Sequence, residues 1–188
     1  MNFSASKNKV IISTVLGIFL STICFSQDTT TKHQVSLNAS KFIFLFNEEA
    51  NNLDISYRYS INETYNVRSA LSLDYSSDSN AISDIAVKIG LDKHFLKHNN
   101  WHFYSGFDIN YAQGVLNSTD RTTKKYALNI LAGFMYKIGD HFSLSTEPGI
   151  VIERNTVNDP QSFNPNSNNS WTEIKLLNIG QVKIGFHF

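Results

Sequence analysis

Leu53-Asp54-Ile55-Ser56-Tyr57-Arg58-Tyr59-Ser60-Ile61 alternates bulky apolar and polar side chains without a break. Successive side chains of a β-strand point to opposite faces, so this stretch reads as a strand with one apolar and one polar face. The next segment repeats the pattern, with Tyr65, Val67, Leu71, Leu73 and Tyr75 on one face and Asn66, Arg68, Ser72 and Asp74 on the other. Ile85, Val87, Ile89 and Leu91 follow, then Trp101, Phe103, Phe107, Ile109 and Tyr111. Tyr126 to Ile138, Phe142 to Ile152 and Ile174 to Phe188 continue the series. A first strand from Gln34 to Phe46 brings the expected total to about eight, all antiparallel. In that first strand Val35, Leu37 and Ala39 alternate, but Phe42 to Phe46 is apolar throughout, which leaves room for a bulge that flips its parity.

The connections alternate too. Those around Glu63, Asn99 and Asp140 read as tight turns, whereas Gln113 to Lys124 and Asn155 to Ser170 read as longer loops rich in Asn, Ser, Thr and Asp. Asn47 to Asn52 and Ser76 to Asn80 are short but fall on the side of the long loops. Tight turns at one end and loops at the other are the layout of an up-and-down transmembrane β-barrel. An even strand number then puts both termini at the turn end. Pro148 has no N–H to give to a ladder, and a bulge at Pro148 and Gly149 is the expected accommodation.

Alternation alone also fits a soluble periplasmic ligand-binding barrel with its apolar face inside. Volume separates the two, because an eight-stranded barrel has an interior only wide enough for side chains or one small ligand. Tyr57, Tyr59, Phe103, Phe107, Phe134, Tyr136, Phe186 and Phe188 would not fit there together. The opposite face carries small residues (Ala70, Ala86, Gly90, Gly106, Ala127, Gly133, Gly149, Gly185), which suit a crowded lumen. It also carries eight acids (Asp54, Asp74, Asp84, Asp92, Asp108, Glu147, Glu153, Glu173) against seven bases (Arg58, Arg68, Lys88, Lys125, Lys137, Lys175, Lys183). Nearly balanced charge can pair across a closed lumen. On the apolar face, charges such as Lys93 and Arg154 fall near strand ends, where the cost of a charge against lipid drops from roughly 2–4 to about 0–1 kcal/mol. Tyr75, Tyr111 and Tyr126 at the loop end, and Tyr65, Trp101, Phe142, Phe186 and Phe188 at the turn end, would form two aromatic girdles.

The N-terminus has the order of a secretory signal peptide: Lys7 and Lys9, the mainly apolar run Val10 to Leu20, then small and polar residues up to Ser26. Cleavage is expected between Ser26 and Gln27, giving a signal peptide over 1–26 and a barrel domain over 27–188. Val10 to Phe25 is short of the roughly 18 apolar residues of a spanning helix, and no later stretch is long enough either. Cys24 is the only cysteine, so no disulfide forms. It raises a lipoprotein alternative, against which stands the bulky Ile23 before it. Loss of Lys7 and Lys9 leaves 14 basic residues against 16 acidic ones, no surplus for nucleic acid.

From Gln34 to Phe188 the chain resembles the small OmpA/OmpX-type outer-membrane barrels, and especially the outer membrane β-barrel proteins common in Bacteroidetes. The most specific point of resemblance is the last strand, where Val182, Ile184, Phe186 and Phe188 alternate up to a C-terminal aromatic residue. The resemblance implies a bacterial outer-membrane location, contact with lipid and lipopolysaccharide, and reading of those four residues by the barrel-assembly machinery. No peptidoglycan-binding domain follows Phe188, so a cell-wall anchoring role is not expected.

Candidate chemistry is sparse. His94, His98 and His102 are spaced by four, with His141 and His187 near the same rim. Spacing by four brings ligands together on a helix, whereas these residues span a strand, a turn and a strand, so they are read as solvated turn residues with no metal. A lipid-modifying enzyme needs a nucleophile and a base together near the loop end. The histidines map to the other end, so no catalytic residue and no cofactor is assigned. A channel is disfavoured by a lumen that side chains fill. The remaining expectation is a non-enzymatic barrel with a structural or surface-interaction role, carried by loops such as Asn155 to Ser170. Asn117-Ser118-Thr119 has the form of a glycosylation acceptor but is read as part of an Asn-rich loop.

Overall fold

A computed structural model of the chain describes residues 32–39, 52–74, 82–116, 121–158, 169–177 and 181–188. The expected signal peptide with its Ser26–Gln27 cleavage point, Cys24, the apolar run at 42–46 and Tyr75 lie outside the described residues. Among the described residues ten segments are formed: β1 (His33–Asn38), β2 (Asn52–Ser60), β3 (Tyr65–Asp74), β4 (Ile82–His98), β5 (Trp101–Leu116), β6 (Arg121–Ile138), β7 (Phe142–Thr146), β8 (Gly149–Asn158), β9 (Asn169–Leu177) and β10 (Lys183–His187). β7 with β8 make the seventh strand and β9 with β10 the eighth, each interrupted once. Every neighbour is antiparallel, and β1 pairs with β10, which closes the sheet into an all-β, eight-stranded barrel.

The closing seam joins the first and last of these segments. Gln34 faces His187, and the backbones of His33 and Phe188 exchange two hydrogen bonds of 3.0 Å each. The Phe188 ring stacks on His33 at 5.4 Å between centroids, and Phe186 meets Phe142 edge-on at the same separation. In β1, Gln34, Ser36 and Asn38 are buried while Val35 and Leu37 are not, so the described part of the first strand keeps its apolar side outward.

Pro148 departs from expectation. Thr146 faces Phe134 and Gly149 faces Leu131, three steps on each strand, so the register runs through Pro148 with no inserted residue. Pro148 accepts a bond from the Ala132 N–H at 2.9 Å and returns none, half of an ordinary closely spaced pair. The irregularity falls on the other neighbour. Leu177 faces Gly149 and Lys183 faces Ser145, so six steps on the eighth strand match four on the seventh. A second irregularity at Phe95, between His94 and Leu96, is a one-residue bulge in β4 that the sequence reading did not foresee.

The ladder also runs further than composition suggests. Leu116 faces Arg121 and Asn158 follows Val157, which faces Asn169, so much of the expected loops Gln113 to Lys124 and Asn155 to Ser170 is strand. Polar composition marks contact with water, not the absence of pairing. A hairpin rising above an apolar belt keeps its hydrogen bonds while losing its apolar face. The tight turns fall as expected, with positive φ at Asn99 (52°) and Gly139 (66°), where asparagine and glycine tolerate it best.

The burial pattern is inverted relative to a soluble globule. Ile89, Ile109 and Ile130 are 61%, 61% and 53% exposed, while Asp92, Asp108 and Asn129 are at most 2% exposed. Among the described residues the outward apolar set rings the barrel, including Leu71, Val87, Phe107, Leu128, Phe134, Leu144, Ile152 and Ile184.

Candidate functional site: a charged plug and a basic cavity

Strand parity aims Arg58 of β2, Arg68 of β3, Asp92 of β4, Asp108 of β5 and Lys183 of β10 into the lumen. Glu147, at the break between β7 and β8, joins them. Arg58 meets Asp92 at 2.6 Å and Glu147 at 2.9 Å. Arg68 meets Asp92 at 3.1 Å, Glu147 at 3.0 Å and Asp108 at 2.8 Å, the last a charge contact not aligned as a hydrogen bond. Lys183 donates to Glu147 at 2.5 Å. Three cations thus face three carboxylates, a neutral set with every acid shared or paired.

Tyr104 completes the cluster. Its ring is fully buried, its hydroxyl donates to Glu147 at 2.8 Å, and the Arg58 guanidinium lies 4.6 Å from the ring centroid. Gln34 accepts from Arg58 at 2.8 Å. Small residues make the room. Gly90 faces Asp108 and Gly106 faces Asp92 on the neighbouring strand, and a side chain at either would run into the opposing carboxylate. A side chain at Gly133 would run into the Tyr104 ring.

The expected small-residue and charged lumen is therefore present, and its centre is packed shut. The space beside Arg58, Arg68 and Glu147 is about 10 Å³, no more than one water needs. Sequence reasoning missed Tyr104 and the apolar pair Leu131 and Met135, which are buried with it inside. Strict parity from Trp101 and Tyr126 puts all three inward.

A wider cavity of about 300 Å³ opens between the plug and the turn end. Its floor includes Gln34, Arg58 and Asn66, and its walls His94, His102, Met135 and His187. Lys32, Lys97, Lys137 and Glu63 stand around it. The Phe95 bulge decides which histidines take part. It turns Lys97 inward and His98 outward, so His94 and His102 come together at 5.8 Å between rings while His98 leaves the group. His94 stacks on Tyr104, and His187 Nε2 lies 2.8 Å from Ser143 Oγ. His141 sits on the rim beside Phe186. Among the described residues no three side chains of the usual metal-binding types are gathered as a metal site requires.

The barrel is thus a closed, up-and-down antiparallel barrel with an apolar exterior and a sealed charged lumen. No family model and no curated protein matches the chain. It is similar to the crystal structure of Neisserial surface protein A, at 15% identity and a TM-score of 0.44, over 83% of this chain and 94% of that one.

Proposed function

We propose that the chain is a non-enzymatic outer-membrane β-barrel protein of the OmpA/OmpX kind, with a structural or surface-interaction role carried by its loops. The observation that carries this reading is the inverted burial pattern: a ring of exposed Ile, Leu, Val and Phe around a lumen of paired charges. An apolar exterior of this extent is unfavourable in water and favourable in hydrocarbon. Among the described residues no helix is long and apolar enough to cross a membrane, so a crossing would be made by strands. β4, β5 and β6, at 17, 16 and 18 residues, exceed the 9–11 or so that a tilted spanning strand needs, and their surplus lifts hairpins clear of the belt.

Tyr111 and Tyr126, 5.2 Å apart, sit at the loop end of the belt, and Tyr65, Trp101 and Phe142 at the turn end. That is where headgroups would lie. Entry through a signal peptide cut between Ser26 and Gln27, and assembly through Val182, Ile184, Phe186 and Phe188, belong to the same reading. The 10 Å³ at the plug argues against solute flow. The serine–histidine contact between Ser143 and His187 does not favour catalysis: Ser143 is 1% exposed, and no carboxylate among the described residues orients the imidazole.

Cell fractionation with heat-modifiable gel migration tests the reading. The expected result is a band in the outer-membrane fraction that shifts on boiling. A protein soluble in the periplasm would overturn it.

A further inference from the structure

We propose that the cavity at the turn end of the barrel is a binding site for a small phosphate-bearing anion. Lys32, Lys97 and Lys137 line it, against one carboxylate in the lining, the exposed Glu63, with Asp140 of the adjoining turn near Lys137. Arg58 at the floor is already neutralised by Asp92 and Glu147. Among the described residues no carboxylate lies within ion-pair distance of Lys32, Lys97 or Lys137. Lys97 donates instead to the Glu63 backbone carbonyl at 2.6 Å.

A second, independent observation points to an acceptor. Asn66 lines the cavity at 4% exposure, and its Nδ2 has no protein partner. A buried donor without an acceptor is costly, and native structures rarely leave one so. His94 Nδ1, also in the wall, is likewise without a protein partner.

The chemistry of the ligand follows from the donors. Three ammonium groups on different elements, one carboxamide and imidazole N–H groups match an anion with several oxygens, and lysine binds phosphate as a point charge. About 300 Å³ is ample for inorganic phosphate or a phosphomonoester of a small alcohol. An apolar ligand would leave Asn66 Nδ2 without an acceptor and the lysine charges without a counter-charge. The plug closes the cavity's far side, so the anion enters and leaves at the turn end.

Calorimetric titration of the full mature barrel in detergent tests this, with inorganic phosphate and glycerol 3-phosphate as separate probes. Saturable binding of one anion per barrel is expected. Lys137→Gln should weaken it at least fivefold and Asn66→Ala at least threefold, while Lys175→Gln at the opposite end leaves it unchanged. Equal binding of the two probes identifies a free-oxyanion site, and preference for the ester identifies a headgroup site; both support the proposal. No heat from either probe, or equal affinity in Lys137→Gln and the parent, overturns it. Lys137 stands at the rim, so its variant remains informative if Asn66→Ala does not fold. The titration does not depend on membrane insertion, so its failure and a failure of the outer-membrane reading are distinguishable.

Discussion

The middle of the lumen and its turn end use the same kinds of side chain to opposite effect. At the middle, Arg58, Arg68 and Lys183 meet Asp92, Asp108 and Glu147, and nothing larger than a water fits beside them. At the turn end, Lys32, Lys97 and Lys137 line a 300 Å³ space with one carboxylate in the lining, and the buried Asn66 Nδ2 lacks a protein partner. Charges that answer one another make a plug; charges left unanswered make a receptor for something else. The contrast teaches that side-chain type alone does not assign a role in a barrel lumen. The balance of donors and acceptors at each level does.

The strongest way to break the comparison is to unbalance the plug. Glu147→Ala leaves Arg58, Arg68 and Lys183 facing a void where their shared acid was, and removing one partner of a buried ion pair costs roughly 3–5 kcal/mol. The urea midpoint of the folded, heat-modifiable band should fall accordingly. Planar-bilayer recordings, silent for the parent, should show openings in this variant. A Glu147→Ala barrel as stable as the parent would mean that the cluster does not hold the lumen together.

Next comes the exterior against which both lumen regions are set. Ile130→Lys puts a charge at the middle of β6 on the exposed apolar face, and in lipid this should cost about 2–4 kcal/mol in vesicle-refolding titrations. On a water-exposed surface the same change would be nearly neutral, so the experiment also tests the membrane reading. Gly133→Ala is a smaller lumen lesion, since the added methyl meets the Tyr104 ring, and overpacking of this kind costs about 1–3 kcal/mol. Combining it with Tyr104→Phe tests whether the loss comes from ring displacement or from the Glu147 hydrogen bond. Sub-additive losses would show that the two substitutions disturb one contact.

The smallest effects sharpen the contrast. Lys175 makes exposed ion pairs with Glu153 at 3.0 Å and Glu173 at 2.6 Å, and Lys175→Ala should change stability by less than about 1 kcal/mol. Lys137→Gln should alter the unfolding free energy by no more than about 0.5 kcal/mol, because it takes part in no ion pair among the described residues. A large stability loss there would mean that the turn-end cavity is structural after all.

Much of this architecture was legible in the chain. The alternation that begins at Leu53 decides strand parity, and parity decides which side chains share the lumen, because a strand has only two faces. Leu53 to Ile61, the neighbouring segments and the balanced inward charges were enough for an eight-stranded barrel with its apolar face outward. The tight turns at Glu63, Asn99 and Asp140 were legible for the same local reason.

What the sequence could not supply was anything that depends on which strand lies across from which. Pro148 was expected to bulge its own strand, yet the extra residues fall on the eighth strand, because register is a property of a pair. The Phe95 bulge sends His98 outward and Lys97 inward, so a histidine trio with regular spacing becomes a pair plus a lysine at the cavity. Tyr104, Leu131 and Met135 fall on the inward parity of their strands, and only closure of the barrel shows the interior volume they fill beside Glu147. Alternation, a local rule, thus determined the two-faced barrel wall. Which inward charges neutralise one another, and which stand around a cavity unanswered, was decided by tertiary contacts between strands far apart in the chain.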